Sequence, residues 1–283
     1  MMPLPSAGMT FSIVARSADG RAFGVAVASK FLAVGAAVPA AEADVGALAT
    51  QSYANLAFRP QGLALLRTGV AAADVVAGLT AADPGRAQRQ LGVVAATGEG
   101  ATYTGDGCHD WTGGLVGDGY AIQGNILAGE QVVAEMERAW LDSDPGAPLG
   151  RRLLAALAAG DRAGGDRRGR QSAALLVVAR RQGYGGTSDV VNDLRVDDHA
   201  DPAPELGRLL DLHGLYFDKP DPAALLQLTG ELADEVAGRL DRLGYRDADL
   251  DTALAAWAGV ENLEERLVPG RIDPSVLKHL RQA

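Results

Sequence analysis

Several features are scarce or missing in this sequence of 283 residues. It has one cysteine, Cys108, so no disulfide forms within the chain, and a reducing compartment suits it. No run of about 18 apolar residues occurs that would span a bilayer. The first nine residues contain no lysine or arginine and lack the charged start of a signal peptide. We therefore expect a cytoplasmic protein with no membrane-spanning segment.

Positively charged residues are also fewer than negatively charged ones. The chain has 26 basic against 36 acidic residues, a formal net charge of −10. Nucleic acids and anionic membranes require clustered lysine and arginine, so neither is expected as a partner. The hydrophobic content of 47% is enough for one large domain with a smaller one attached.

The stretch around which we organise the chain begins at Thr10. Apolar residues alternate from Phe11 to Ala15 and again from Phe23 to Val27, with a turn at 18–21 between them. Alternation with a period of two and a glycine-containing turn are typical of a β-hairpin. The sequence therefore predicts two paired strands, the first of which starts with a threonine.

A threonine at a true chain terminus carries its own base. The free α-amine, with an ordinary pKa of about 8, takes the proton of the hydroxyl, which then attacks an amide or ester carbonyl. Lys30, at the end of the second strand, would lower the pKa of that amine by repulsion between like charges. We predict Thr10 and Lys30 as catalytic residues; the structural alternative is a β-branched strand residue and a solvated lysine.

This mechanism requires that residues 1–9 be absent from the mature protein. Either translation starts at Met9, which is then removed, or a leader is cleaved, and the sequence does not distinguish these routes. If the leader is retained, the amine mechanism fails.

Polar residues elsewhere are candidates for substrate binding. Amide side chains at strand ends either orient a substrate amide or simply satisfy the strand ends. A glycine-rich turn offers guanidinium groups that bind carboxylates, with a solvated loop as the alternative. These candidates are Gln51, Asn55, Gln123, Asn125, Asp166, Arg168 and Arg170. We expect no metal and no cofactor, because the chain has only four histidines and Cys108 and His109 are adjacent.

The order of elements is strands, a helix pair, strands, a helix pair and strands. It favours an α+β fold of two facing sheets with helices outside them. Leucines at helical spacing after the 219–222 linker predict a small all-α module. The predicted domains are a leader, 1–9, a main domain, 10–218, and a helical domain, 219–283.

The chain resembles the bacterial family known as domain of unknown function 1028. The motifs that carry the resemblance are residues 9–16, 29–31, 34–35, 49–51, 53–55, Cys108 with Trp111, 123–125 and 166–173. The resemblance implies the four-layer αββα sandwich of the N-terminal-nucleophile hydrolases, and it implies no established substrate. Residues 229–273 resemble a helical domain assigned to peptidoglycan binding.

Two functions follow as hypotheses. The first is an N-terminal-nucleophile amidohydrolase that acts on a small substrate, acidic or derived from an amino acid. The alternative is a non-catalytic small-molecule-binding or scaffold protein on the same fold. Cell-wall binding through the helical domain is a third role, and homo-oligomerisation stays open.

Overall fold

The computed structural model of the protein describes residues 10–283. The predicted leader lies outside the described residues, so its removal stays a prediction. Contacts divide the chain into a first unit that ends at Leu210 and a second unit that runs from Asp211 to Ala283. In the part of the chain that the structure describes, no helix has the length and apolar character needed to cross a membrane.

The first unit combines strands and helices. Its strands are β1 (Thr10–Arg16), β2 (Ala22–Ser29), β3 (Pro39–Glu42), β4 (Gly46–Ser52), β5 (Arg89–Ala95), β6 (Ala101–Thr104), β7 (Gly113–Gly117), β8 (Tyr120–Asn125), β9 (Ser172–Ala179) and β10 (Val190–Val196). Its helices are α1 (Val34–Ala37), α2 (Phe58–Leu66), α3 (Ala72–Ala81), α4 (Gln131–Asp142) and α5 (Leu149–Arg162), and α6 (Pro202–Phe217) continues into the second unit.

These strands form two antiparallel sheets. One has the order β10-β9-β2-β1-β8-β7 and the other β3-β4-β5-β6. The predicted hairpin is confirmed, since β1 pairs with β2 around a turn in which Gly20 has φ 71°. The continuously apolar strand β9 lies between β10 and β2, as its burial on both faces predicts.

Alternate residues of β1 face different parts of the core. Phe11 and Ile13 belong to a cluster that includes Met136 of α4 and Leu153 of α5. Val14 belongs to a second cluster, which also contains Ala47 and Ala49 of β4 and Val94 of β5. The two sheets therefore share an apolar core.

The other face of the four-stranded sheet is covered by helices. Leu91 and Val93 of β5 pack in a third cluster with Phe58 of α2 and Val75 of α3. Gly62 lets α2 approach the same sheet closely at β4, because a Cβ at this position would lie 2.5 Å from Leu48 Cδ2.

The second unit is mainly helical. Its elements are β11 (Leu226–Gln227), α7 (Gly230–Arg242), α8 (Leu250–Val260), β12 (Arg271–Ile272) and α9 (Pro274–Gln282). Trp257 is the largest side chain of its core. Asp273 caps α9, since its carboxylate accepts a hydrogen bond from Ser275 N at 2.6 Å with Pro274 just inside the helix. The fold is thus mixed α/β, with antiparallel sheets and a C-terminal helical region.

Candidate functional site

The core between the two sheets becomes polar toward the start of β1. It is apolar at Val14, Val25 and Val27 and then gives way to hydroxyl and amide side chains. We call these side chains the polar cluster; all are at most 3% exposed, and they are Thr10, Ser12, Ser29, Gln51, Gln90, Gln123 and Asn125. Burial of so many polar groups requires that they satisfy one another, and their bonds define the site.

Thr10 and Ser29 meet through their hydroxyl groups. The Thr10 hydroxyl donates to Ser29 Oγ at 3.2 Å. Ser17 N bonds Ala22 O at the turn, and paired residues alternate from there between hydrogen-bonded and non-hydrogen-bonded positions. Continuing the register makes Thr10 and Ser29 a non-hydrogen-bonded pair, the kind whose side chains come closest. The strand pairing itself thus brings the two hydroxyl groups together.

Two side-chain amides hold the main chain of Thr10. Gln51 Nε2 donates to Thr10 O at 3.1 Å, and Asn125 Nδ2 points to the same oxygen at 3.4 Å. Gln51 comes from the opposite sheet, whereas Asn125 lies beside Thr10 on β8. Both sheets therefore fix the position of the first described residue.

Gln90 connects these amides to the surrounding strands. Its Oε1 accepts from Gln51 Nε2 at 2.8 Å and from Asn125 Nδ2 at 2.9 Å. Its Nε2 donates to Gly124 O at 2.8 Å and to Thr104 Oγ1 at 2.9 Å. Sequence reasoning missed Gln90, Ser12 and Ser29. A buried glutamine at the start of an otherwise apolar strand was the available signal for Gln90.

A second branch of the cluster runs through Ser12. Its hydroxyl donates to Gln51 Oε1 at 2.7 Å and accepts from Gln123 Nε2 at 2.6 Å. The Gln123 side chain lies against Gly92, where a Cβ would stand 2.0 Å from Oε1. Gly92 is therefore the residue that makes room for this amide.

Two buried oxygens of the cluster have no hydrogen-bond partner within residues 10–283. They are Gln123 Oε1 and Asn125 Oδ1. An unsatisfied buried acceptor costs about 1–3 kcal/mol, so such atoms call for an explanation.

Lys30 and the glycine-rich loop lie at the same end of the sheets. The buried Asp166 carboxylate accepts from Lys30 N at 2.7 Å and from Arg168 N at 2.9 Å, so it ties the loop to the end of β2. The ammonium group of Lys30 donates to Arg170 O at 3.1 Å. The residue of β2 that the Thr10 hydroxyl contacts is Ser29, which precedes Lys30 in the chain.

The two predicted substrate-binding arginines are bound to aspartates of the chain. Arg168 forms an ion pair with Asp166 at 3.2 Å. Arg170 pairs with Asp161 at 2.8 Å and Asp201 at 3.2 Å, and its hydrogen bond to Asp161 raises the pKa of its guanidinium. A substrate carboxylate would have to share or displace these partners.

Asn55 belongs to a different cluster. Its side-chain nitrogen donates to Asp83 Oδ2 at 3.1 Å, and its oxygen accepts from Ala57 N at the start of α2. Arg89 donates to the same carboxylate at 2.8 Å, and this hydrogen bond is the main reason that the pKa of Asp83 is lowered. The structure therefore separates Asn55 from the amides that bind Thr10.

Cys108 and His109 do not act on each other. Cys108 Sγ donates to Arg89 O at 3.4 Å, and burial raises the pKa of the thiol, which opposes nucleophilic reactivity. His109 Nε2 lies 3.3 Å from the Tyr53 hydroxyl. Among residues 10–283 no three histidine, cysteine, aspartate or glutamate side chains are grouped so as to hold a metal ion.

The fold and the cluster define a two-unit protein with a buried threonine at the start of a central strand. Residues 10–206 match the model of the family described as "Family of unknown function (DUF1028)", so the chain belongs to this family. Residues 216–280 match the model described as "Putative peptidoglycan binding domain". No curated protein matches the chain.

A solved structure is similar as well. It is the crystal structure of protein SPO2555 from Silicibacter pomeroyi, described as a DUF1028 family member. The two sequences are 31% identical, the match covers 80% of this chain and 93% of that one, and the TM-score is 0.65. The family match and the structural relative thus point to the same family, and neither description names an activity.

Proposed function

We propose that the protein is an amide hydrolase of the N-terminal-nucleophile class, with Thr10 as the nucleophile. The observation that carries this proposal is the position of Thr10: its hydroxyl contacts Ser29 and its carbonyl is held by Gln51 and Asn125. A nucleophile must be held in one geometry to react, and residues from both sheets hold this one.

The packing supports the four-layer αββα arrangement of that class. One apolar cluster joins α4 and α5 to the six-stranded sheet, a second joins the two sheets, and a third joins α2 and α3 to the four-stranded sheet. This succession is helices, sheet, sheet, helices. We assign the hydrolase domain to residues 10–218 and the helical domain to residues 219–283.

The proposed reaction needs a chain that begins at Thr10. Thr10 Oγ attacks the substrate carbonyl while the α-amine accepts the hydroxyl proton. That proton then passes to the nitrogen of the leaving group, the C–N bond breaks and an ester to Thr10 remains. Water, deprotonated by the same amine, hydrolyses the ester and releases the acid. Lys30, which directly follows Ser29 at the end of β2, keeps the amine neutral through its positive charge.

The charge of the loop at this end of the sheets indicates the class of substrate. A small amide that is acidic or derived from an amino acid suits the cationic loop at this end of the sheets, where Lys30 donates to a main-chain oxygen. Arg168 and Arg170 already have carboxylate partners, so Lys30 is the better candidate to bind a substrate carboxylate.

A panel of N-acyl amino acids tests the hydrolase. The protein is prepared to begin at Thr10, and amine release is measured by mass spectrometry for the unsubstituted chain, Thr10→Ala and Thr10→Ser. We expect Thr10→Ala to abolish turnover and Thr10→Ser to retain it. Thr68→Ala, at an exposed hydroxyl that bonds Leu65 O, is the matched control. Full activity of Thr10→Ala contradicts the proposal.

The second unit suggests a separate binding function. Besides its match to a peptidoglycan-binding model, it contains a pocket of about 490 Å³ between the end of α7 and the start of α8, lined by Asp241, Tyr245, Asp247 and Leu250 among others. Carboxylates bind sugar hydroxyl groups and an aromatic ring covers apolar sugar faces. We expect the full chain to sediment with insoluble peptidoglycan, and Tyr245→Ala to reduce that binding. A chain that stays in the supernatant contradicts this role.

A further inference from the structure

The side-chain oxygen of Asn125 is one of the two unpartnered oxygens of the polar cluster, and it is the one that belongs to the residue opposite Thr10. Asn125 is 1% exposed, and its Oδ1 has no hydrogen-bond partner in the part of the chain that the structure describes. Its nitrogen faces two acceptors, Gln90 Oε1 at 2.9 Å and Thr10 O at 3.4 Å. A buried amide with one end bonded and the other unpartnered indicates that a hydrogen-bond donor belongs beside the oxygen.

The orientation of this amide is fixed by its neighbours. A rotation that exchanged nitrogen and oxygen would turn Oδ1 toward Gln90 Oε1 and Thr10 O, which are both acceptors. Gln90 cannot rotate in compensation, since its own nitrogen faces Gly124 O at 2.8 Å and Gly113 O at 3.2 Å. The unpartnered atom is therefore the oxygen.

Strand pairing puts this oxygen beside the main chain of Thr10. Thr10 and Asn125 are directly opposite each other on β1 and β8. Arg16 N bonds Gly119 O at 2.9 Å, and counting along the ladder from that bond makes Thr10 and Asn125 a hydrogen-bonded pair. A peptide N–H at Thr10 has a single proton, and this pairing directs it to Asn125 O. No proton remains for Oδ1.

We propose that Asn125 Oδ1 is a binding site for a primary amine, the α-amine of a chain that begins at Thr10. A neutral amine has two N–H groups, one for Asn125 O and one for Oδ1, and its lone pair is then left to accept the Thr10 hydroxyl proton. Asn125 is thus a positioning residue that sets the direction of the base. The inference rests on the proposed function, because only a terminal Thr10 supplies the second N–H.

The first test measures the pKa of the amine without any substrate. Cyanate carbamylates only the neutral amine, so the rate at the N-terminal peptide, followed by mass spectrometry from pH 5 to 10, gives that pKa. A carboxylate beside an ammonium raises its pKa by about 1–3 units. We therefore expect Asn125→Asp to slow carbamylation near neutral pH by about tenfold or more in a chain that begins at Thr10.

The matched control is the same substitution in a chain that begins at Met9, whose amine lies one residue further along. The neighbouring titratable groups are Lys30 after β2, Asp166 and Arg168 in the loop, Arg89 on β5 and His109 before β7, and they are common to both chains. We expect a shift of less than half the size in the Met9 chain. Equal shifts in the two chains, or none in either, overturn the inference.

A second measurement avoids the risk that Asn125→Asp does not fold. A crystal structure of the unsubstituted chain that begins at Thr10 should place the amine nitrogen about 2.7–3.2 Å from Asn125 Oδ1. A separation above about 4 Å overturns the inference, even if Thr10→Ala abolishes hydrolysis. Conversely, if Thr10→Ala retains activity, the proposed hydrolase mechanism is contradicted. The amine site is judged separately, by the carbamylation rates and the amine–oxygen distance.

Discussion

Thr10 and Ser29 lie opposite each other at the edge of the polar cluster, and the hydroxyl of one donates to the hydroxyl of the other at 3.2 Å. Both side chains are at most 3% exposed. In water each hydroxyl would have several partners, whereas here the pairing of β1 and β2 selects one for Thr10. The hydrogen bond therefore fixes the side-chain rotamer of the proposed nucleophile.

A double-mutant cycle should detect this contact as a coupling energy. Thr10→Val and Ser29→Ala each remove one hydroxyl, and we expect the two losses to be non-additive by about 0.5–1.5 kcal/mol in urea unfolding. Thr80→Val serves as the control partner, since its hydroxyl bonds Val76 O within its own helix and should add to Ser29→Ala within about 0.5 kcal/mol. Additivity of Thr10→Val with Ser29→Ala would contradict the contact.

Replacement of Gln90 by leucine should be among the most damaging single changes at this end of the sheets. The substitution removes one of the two side-chain donors to Gly124 O and takes an acceptor from Gln51 and Asn125. We expect the free energy of unfolding to fall by about 3 kcal/mol. Gln61→Leu, on the exposed face of α2, should change it by no more than about 0.5 kcal/mol. Similar losses in both variants would mean that the hydrogen bonds of Gln90 do not contribute to the free energy of unfolding.

The sequence predicted the elements better than the contacts between them. The alternation of apolar residues gave the β1–β2 hairpin, since each strand has one face in each of two apolar clusters. Strand β7 was missed because three of its five residues, Gly113, Gly114 and Gly117, carry no side chain for a pattern to detect. The periodicity of apolar residues indicates which face of a strand is buried, and a strand that consists mostly of glycine lacks this pattern.

The site was predictable only in part for the same reason. Thr10 could be put forward from the sequence because the chemistry proposed for it depends only on its position at the start of one strand. Gln90 and Ser29 were missed because their roles arise from partners that are 35 and 19 residues away in the sequence. The aspartates that pair with Arg170 are likewise brought to it by the fold, so the sequence suggested a substrate carboxylate in their place.

Gly92→Ala should destabilise the protein through the polar cluster. The new Cβ would lie 2.0 Å from Gln123 Oε1, and the Gln123 side chain is fully buried and bonded to Ser12. We expect a loss of about 1–3 kcal/mol in urea unfolding. Gly78→Ala is the matched control, because no atom lies within 4 Å of its added Cβ in helix α3. Alanine should stabilise that helix by about 0.5–1 kcal/mol, so the two substitutions are expected to differ in sign.

Asp83 should make stability depend on pH in the acid range. The Arg89 hydrogen bond, with further bonds from Gly85 N and Asn55, holds the pKa of its carboxyl below the ordinary value of 3.8. A carboxyl whose pKa is lower in the folded state stabilises the fold above its unfolded pKa, and the stabilisation is lost as the pH falls through the folded pKa.

The free energy of unfolding should therefore exceed that of Asp83→Asn by a constant amount from about pH 7 to pH 5, and the difference should shrink below about pH 4. Urea unfolding at a series of pH values measures it, and Asp74→Asn, at an exposed position of α3, controls for the loss of one negative charge. A difference that is unchanged between about pH 6 and pH 3 would show that the Asp83 carboxylate does not depend on Arg89 for its stabilising effect. The contact would then join the segments before α2 and after α3 to β5 through the geometry of its hydrogen bonds, which an asparagine side chain partly preserves.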